Sequence, residues 1–324
     1  MRNPIFKTIG IMVSAGTLVC AAGPSVAKDI TMAYVAASMQ YPFNVAVAKG
    51  FQDVAKELGA KTVVLDPRGS VERQGNAIDD LIAQKVDGIS AIVLDSVVSQ
   101  SWVDRAADAK IPFVATAVQV GDPEKMPLRT VYGRLSALVT TDYVLSGERA
   151  GQLASSLLPK NRVAKIGVVE GAPGYSVVRQ VQEGFVKALK QAGAKYQIVA
   201  SQPTDWTPEK GESVCQNILT AHPDVDLIFS QADDMAIGCA RAIRAVNAKA
   251  KLVATGGGSK LGLDAIKNGE LDGSVCVKPE LMGRMAAKAL YEAITNKRTA
   301  NARFITYETP IVTKANLAAC PPEW

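Results

Sequence analysis

Tyr41, Phe43, Tyr175 and Trp206 each follow an apolar run that reads as a strand, in a chain whose aromatic content is only 6%. Rings gathered at strand ends form a stacking box that can bury a ring or a carbon skeleton. Short polar groups in the same loops can supply a few hydrogen bonds. They are Gln40, Asn44, Thr116, Gln119, Asp233 and Lys278, and Val118, Gly257 and Val277 complete the candidate set.

Residues suited to reaction chemistry are scarce. His222 is the only histidine, and Ala221-His222-Pro223-Asp224 reads as a helix-ending turn far in sequence from those loops. No Gly-x-Ser-x-Gly elbow is present. Asp79-Asp80 sits inside a helical pattern and reads as its solvated face. Gly256-Gly257-Gly258 lacks the Lys-Ser/Thr ending and the glycine spacing of the nucleotide motifs. Asp233-Asp234 opens a helix, where an acidic residue serves equally as an N-cap or as a ligand contact. These features predict a binding protein, not an enzyme, with no cofactor and no metal.

The elements that must position the rings alternate in type. Strand-like runs fall at residues 30–36, 62–65, 89–94 and 113–116, with amphipathic helices between them. The scheme repeats at 163–169, 196–200, 227–230, 252–255 and 274–277. Helical stripes run through Val47, Phe51, Val54 and Leu58, through Val178, Val181, Phe185 and Leu189, and through Met235, Cys239, Ala242 and Val246. Such alternation specifies an α/β fold with doubly wound parallel sheets. Ligands then bind outside the carboxyl ends of the strands, where the aromatic residues fall.

An echo of Leu58-Gly59-Ala60-Lys61 in Ala192-Gly193-Ala194-Lys195 suggests two related domains. A late helix near residues 281–295 has no strand partner in the second domain, so the simplest topology returns it to the first. The expected division is 28–140 plus 278–306 for the N-terminal lobe and 141–277 plus 307–324 for the C-terminal lobe. Three crossings, near 139–142, 277–279 and 307–310, would act as the hinge. The longest irregular stretch is 119–136.

Residues 1–27 read as an export signal. Arg2 and Lys7 precede an apolar stretch too short to span a bilayer, and Ser25-Val26-Ala27 has the small-x-small pattern of a cleavage site. Cys20 could be lipidated, but Val19 before it is larger than lipoprotein processing accepts. Without the signal the chain carries 34 basic and 31 acidic residues, a balance that calls for neither nucleic acid nor an anionic membrane. Cys215, Cys239, Cys276 and Cys320 remain, and an oxidising compartment permits disulfides. Four cysteines allow three full pairings. Cys215 and Cys239 are plausible neighbours on consecutive helices, which leaves Cys276 with Cys320, and four buried thiols is the alternative.

Several motifs resemble the periplasmic sugar-binding proteins of bacterial ABC importers, specifically the ribose-binding family. They include Tyr41-Pro42-Phe43, Val64-Leu65-Asp66, Gln182-Glu183-Gly184-Phe185, the run from Leu219 through His222-Pro223-Asp224, and Asp233-Asp234-Met235-Ala236. The ligand-binding core of lac-type repressors is similar too, but an export signal stands where the DNA-binding headpiece would be. The resemblance implies a type I periplasmic-binding fold, a monomer that clamps one small solute and presents its closed form to an inner-membrane permease. A sensor that presents the closed form to a receptor or histidine kinase is the alternative.

The resemblance also implies which residues meet the ligand. The family's stacking rings correspond to Phe43 and Trp206, with Tyr41 and Asn44 at neighbouring positions. Its hydroxyl-binding side chains fall on Ala117, Val118, Val181, Ala232, Gly257 and Val277, all apolar or lacking a side chain. An unpaired buried hydroxyl costs roughly 1 to 3 kcal/mol, so the expected solute carries fewer hydroxyls than ribose.

Overall fold

The computed structural model describes residues 1–2, 29–127, 129–296 and 302–324. The expected export signal lies outside the described residues apart from Met1 and Arg2. Among the described residues no helix is long and apolar enough to cross a membrane.

The first half runs β1 (Thr31–Val35), α1 (Pro42–Glu57), β2 (Lys61–Leu65), α2 (Val71–Ala83), β3 (Gly88–Ala91), α3 (Ser99–Asp108), β4 (Phe113–Thr116) and β5 (Ala137–Val139). The second half runs α4 (Tyr143–Leu157), β6 (Ala164–Glu170), α5 (Ser176–Gln191), β7 (Tyr196–Pro203), α6 (Pro208–Ala221), β8 (Leu227–Ser230), α7 (Asp233–Ala245), β9 (Lys251–Ala254), α8 (Lys260–Asn268) and β10 (Ser274–Val275). The chain closes with α9 (Pro279–Thr295), β11 (Arg303–Ile305) and β12 (Ile311–Val312).

Two parallel sheets result. One has the order β11-β5-β4-β3-β1-β2 and the other β7-β6-β8-β9, while β10 and β12 form a small antiparallel pair. The parallel strands read as continuous apolar runs because helices cover both faces, and β1, β3 and β4 are buried almost throughout. One apolar core surrounds the six-stranded sheet, and two more lie on the faces of the four-stranded one. Phe185 on α5 stacks on Phe229 of β8 with ring centroids 3.9 Å apart.

Local chemistry fixes the helix starts. Ser70, Asp142, Thr207 and Ser259 each accept a hydrogen bond from a first-turn N–H, and α1, α6 and α9 begin with proline. Two of the expected stripes stop short at their ends, since Leu58 and Val246 are exposed. Each lies in the turn that closes its helix, where no neighbouring element covers it.

Helix α9 packs against α1 at very close range. A β-carbon on Gly283 would come 1.9 Å from the Val47 carbonyl oxygen, and one on Gly50 would come 2.0 Å from that of Glu280. The chain passes between the two sheets three times, and Tyr307 joins all three passages. Its hydroxyl is 2.8 Å from that of Thr141 and accepts from the Lys278 N–H at 3.1 Å. Strand β5, lying between the irregular stretch and the first crossing read from the sequence, pairs with β4 on one side and β11 on the other. Both cysteine pairs, Cys215 with Cys239 and Cys276 with Cys320, are disulfide-bonded.

Candidate functional site

A cavity of about 130 Å³ lies between the carboxyl ends of the two sheets. From the six-stranded side it receives Ala37, Tyr41, Phe43 and Asn44 after β1, Ile92 after β3, and Ala117 and Val118 after β4. The four-stranded side contributes Tyr143, Tyr175, Val177, Trp206, Gln231, Ala232, Asp234 and Gly256, and Val277 follows β10. Trp324, at the end of the sequence, completes the wall.

Backbone geometry places these groups. Gln74, fully buried on α2, donates to the carbonyls of Ala36 and Ile92 and accepts from the Leu94 N–H, stapling the ends of β1 and β3 together. Ala117 adopts a left-handed conformation with φ of 64°, held by its N–H on Val139 and its carbonyl under the Thr140 hydroxyl. That turn brings Val118 to the cavity wall. Trp206 is also left-handed, at φ of 70°, with its N–H on the Thr204 hydroxyl. Its ring meets Tyr175 edge to face at 5.8 Å, and Phe43 meets Trp324 likewise at 6.0 Å.

Polar capacity in the cavity is limited. Gln231 is spent on structure, accepting from the Gly171 N–H and donating to the Val178 carbonyl. Asn44 uses its oxygen on the Ala37 N–H, which leaves its amide nitrogen for a ligand. Burial pushes the phenols of Tyr41, Tyr143 and Tyr175 upward, Tyr143 to about 12, so all three stay neutral donors near neutral pH. Among the described residues that line the cavity, Asp234 has the only charged side chain. Burial raises its carboxyl above the ordinary range.

Seven of the thirteen candidate residues line the cavity: Tyr41, Phe43, Asn44, Val118, Tyr175, Trp206 and Val277. The other six do not, each for a definable reason. Lys278 caps the start of α9, with its N–H on the Tyr307 hydroxyl. Gln40 is exposed. Thr116 is buried within the sheet, 2.8 Å from the Ser90 hydroxyl. Gln119 donates to the carbonyls of Met126, Pro127 and Thr130 and accepts from Gln180, which pins the loop after β4. Gly257 bridges β10 through backbone hydrogen bonds to Val275 and Val277. Asp233 turns inward to accept from Ser274, Ser259 and the Gly258 N–H, and burial raises its carboxyl to about 7. Its neighbour Asp234 faces the cavity instead. Val181, expected from the resemblance to stand at a ligand position, is buried in the core, and Val177 one turn earlier reaches the cavity.

Among the described residues no group of acidic, histidine or cysteine side chains could hold a metal ion. Two parallel sheets facing each other across an aromatic cavity, joined by three passages of the chain, define a solute-binding protein of the type I periplasmic-binding fold. The sequence matches the periplasmic binding protein domain family over residues 32–298, and the chain belongs to that family. It is 31% identical to the ribose import binding protein RbsB of Bacillus subtilis (strain 168) over 84% of both chains. Over 81% of its length it is 27% identical to the D-allose-binding periplasmic protein of Escherichia coli (strain K12), covering 83% of that protein. Among solved structures, an ABC transporter solute-binding protein from Mycobacterium smegmatis with bound glycerol superposes with a TM-score of 0.80 at 24% identity, covering 90% of this chain and 96% of that one. The chain is thus one of the periplasmic sugar-binding class of ABC-importer proteins and is not an enzyme.

Proposed function

We propose that this protein captures a small, uncharged or cationic solute with fewer hydroxyls than ribose and delivers it to an inner-membrane ABC permease. Residues 28–140 with 278–306 form one lobe and 141–277 with 307–324 the other. Solute touching both lobes favours the closed state, because only a differential affinity can shift the open–closed balance. Export with cleavage after Ala27, and action as a monomer, complete the reading.

One observation carries the choice of solute. Ala117, Val118, Ala232 and Val277, where the family's hydroxyl-binding side chains fall, line the cavity with carbon. Each buried CH₂ of ligand against such a wall contributes about 0.8 kcal/mol, whereas an unpaired hydroxyl costs roughly 1 to 3 kcal/mol. With Asp234 as the only charged lining side chain among the described residues, an anionic ligand would meet repulsion and no counter-charge.

A thermal-shift screen of pentoses, deoxysugars, polyols, aromatic alcohols and acids, and nucleosides tests this, since a bound solute stabilises by RT ln(1 + [L]/Kd). Polyols or alcohols of low hydroxyl count should give the largest shifts. D-Ribose as the tightest binder, or an anion as the best ligand, refutes the solute class. Stimulation of ATP hydrolysis by the reconstituted permease, with solute and protein together, tests delivery.

A further inference from the structure

We infer that residues 320–324 form a strap that positions Trp324 as a ligand-reading wall, so that affinity depends on Cys320 and Glu323, two residues absent from the cavity lining. This rests on the interlobe cavity being the ligand site. Neither positioning residue need touch the solute.

The strap is fastened at three points. Cys320 is buried and bonded to Cys276, which directly precedes the cavity residue Val277. Glu323 then reaches the start of α9, where its carboxylate accepts from the N–H groups of Glu280 at 2.7 Å and Leu281 at 3.4 Å. The main-chain oxygen of Trp324 accepts from the N–H of Lys260, first residue of α8, at 2.8 Å. Both helices present N–H groups that lack a partner within the helix, so an acceptor carried on the strap satisfies them. Between the disulfide and these anchors lie Pro321 and Pro322, whose fixed φ makes the arm stiff.

The bed beneath the disulfide is built to receive it. Gly258 sits at φ of 109°, and a β-carbon there would come 3.0 Å from the Cys320 sulfur. The buried Asp233 holds that loop through Gly258 and Ser259.

Trp324 cannot hold itself in place. Its indole Nε1 is buried without a hydrogen-bond partner, and the ring packs edge to face on Phe43. Packing on Phe43 and the strap's anchors are therefore what set the ring's position beside Val277. An aromatic wall placed this way acts on ligand affinity through contact area and shape.

Two measurements on the full-length protein test the strap. In a Trp102→Phe, Trp206→Phe background Trp324 is the remaining tryptophan, and acrylamide should quench its fluorescence weakly. Glu323→Ala should raise that quenching several-fold at unchanged far-UV circular dichroism, and Glu323→Gln, which keeps an acceptor, should restore protection. In the native background, glycerol, meso-erythritol and D-ribose are titrated calorimetrically. For whichever of them binds, Trp324→Ala should weaken affinity by about tenfold or more, Glu323→Ala should do so in the same direction, and Glu323→Gln should not. Cys276→Ser with Cys320→Ser gives a second route to the same loss.

Free quenching of Trp324 in the parent, or equal quenching in Glu323→Ala and Glu323→Gln, overturns the strap. Unchanged affinity in Trp324→Ala also overturns it. If none of the three solutes binds while the quenching pattern holds, polyols fall out of the proposed solute class and the strap stands.

Discussion

The ring of Trp206 occupies the space that a side chain on Gly171 would need: an added β-carbon would come 1.8 Å from indole Cη2 and 2.1 Å from Cζ2. One aromatic wall of the cavity is therefore seated by a glycine at the end of β6. Gly171→Ala should displace the ring while leaving the buried cores intact. Affinity for the screened solute should fall about tenfold or more, with melting lowered by only a few degrees, as calorimetric titration and thermal unfolding will show.

Trp206→Ala removes the ring itself and should weaken binding by at least several-fold. A large part of the loss should be in dissociation rate, since truncations at a pre-formed site act mainly there. Stopped-flow dissociation against excess competitor measures it. Unchanged affinity would take Trp206 out of the ligand contacts.

Asp234 has no basic partner among the residues that line the cavity. Benzoate should give no thermal shift with the native protein, whereas benzyl alcohol, close to it in size, should give a measurable one. Asp234→Asn should narrow that difference by removing the repulsion, and it should weaken any solute whose hydroxyl donates to the carboxylate by about tenfold. A positive shift with benzoate in the native protein contradicts the argument.

The Asp233 carboxyl is raised from 3.8 to about 7, chiefly by burial, against the opposing hydrogen bonds from Ser274, Gly258 and Ser259. The folded chain thus holds a proton that the unfolded chain releases earlier. Between the ordinary carboxylate range and about pH 7 the folded state binds more protons, so this group's contribution makes stability fall as pH rises through that window and level off above it. Asp234, also raised by burial, contributes with the same sign. Denaturant midpoints at pH 4.5, 6 and 7.5 should fall more steeply in the native protein than in Asp233→Asn. Parallel profiles would rule out this role for Asp233.

The Cys215–Cys239 disulfide closes a loop of 24 residues between α6 and α7. On chain-entropy grounds its removal should cost about 3 kcal/mol. A Cys215→Ala, Cys239→Ala variant should lose that much in guanidinium unfolding yet keep its solute affinity, because neither cysteine lines the cavity.

Much of the architecture was legible along the chain. The strands at 113–116 and 227–230 were bounded to the residue, and most other strand limits fell within two or three, because a run buried by helices on both faces is continuously apolar. Strand β5 escaped because three residues, Ala137–Val139, carry no period of their own; the neighbours β4 and β11 make it a strand.

Sequence alone determined the α/β alternation, the loops that hold four of the cavity's rings and the apolar character of residues 117, 118, 232 and 277, and it left Cys215 and Cys239 as one of the open pairings. Those are properties of composition and period, which act locally. Only the tertiary structure decided that Asp234 and not Asp233 meets the cavity, that Val177 and not Val181 does, and that Trp324 joins Phe43 across more than 280 positions. Adjacent helical residues point about 100° apart, so the helix's packing chooses which of two carboxylates is spent inside and which faces a ligand. Contacts between distant segments leave no trace in any window of the sequence, because they exist only once both sheets have formed and brought their ends together.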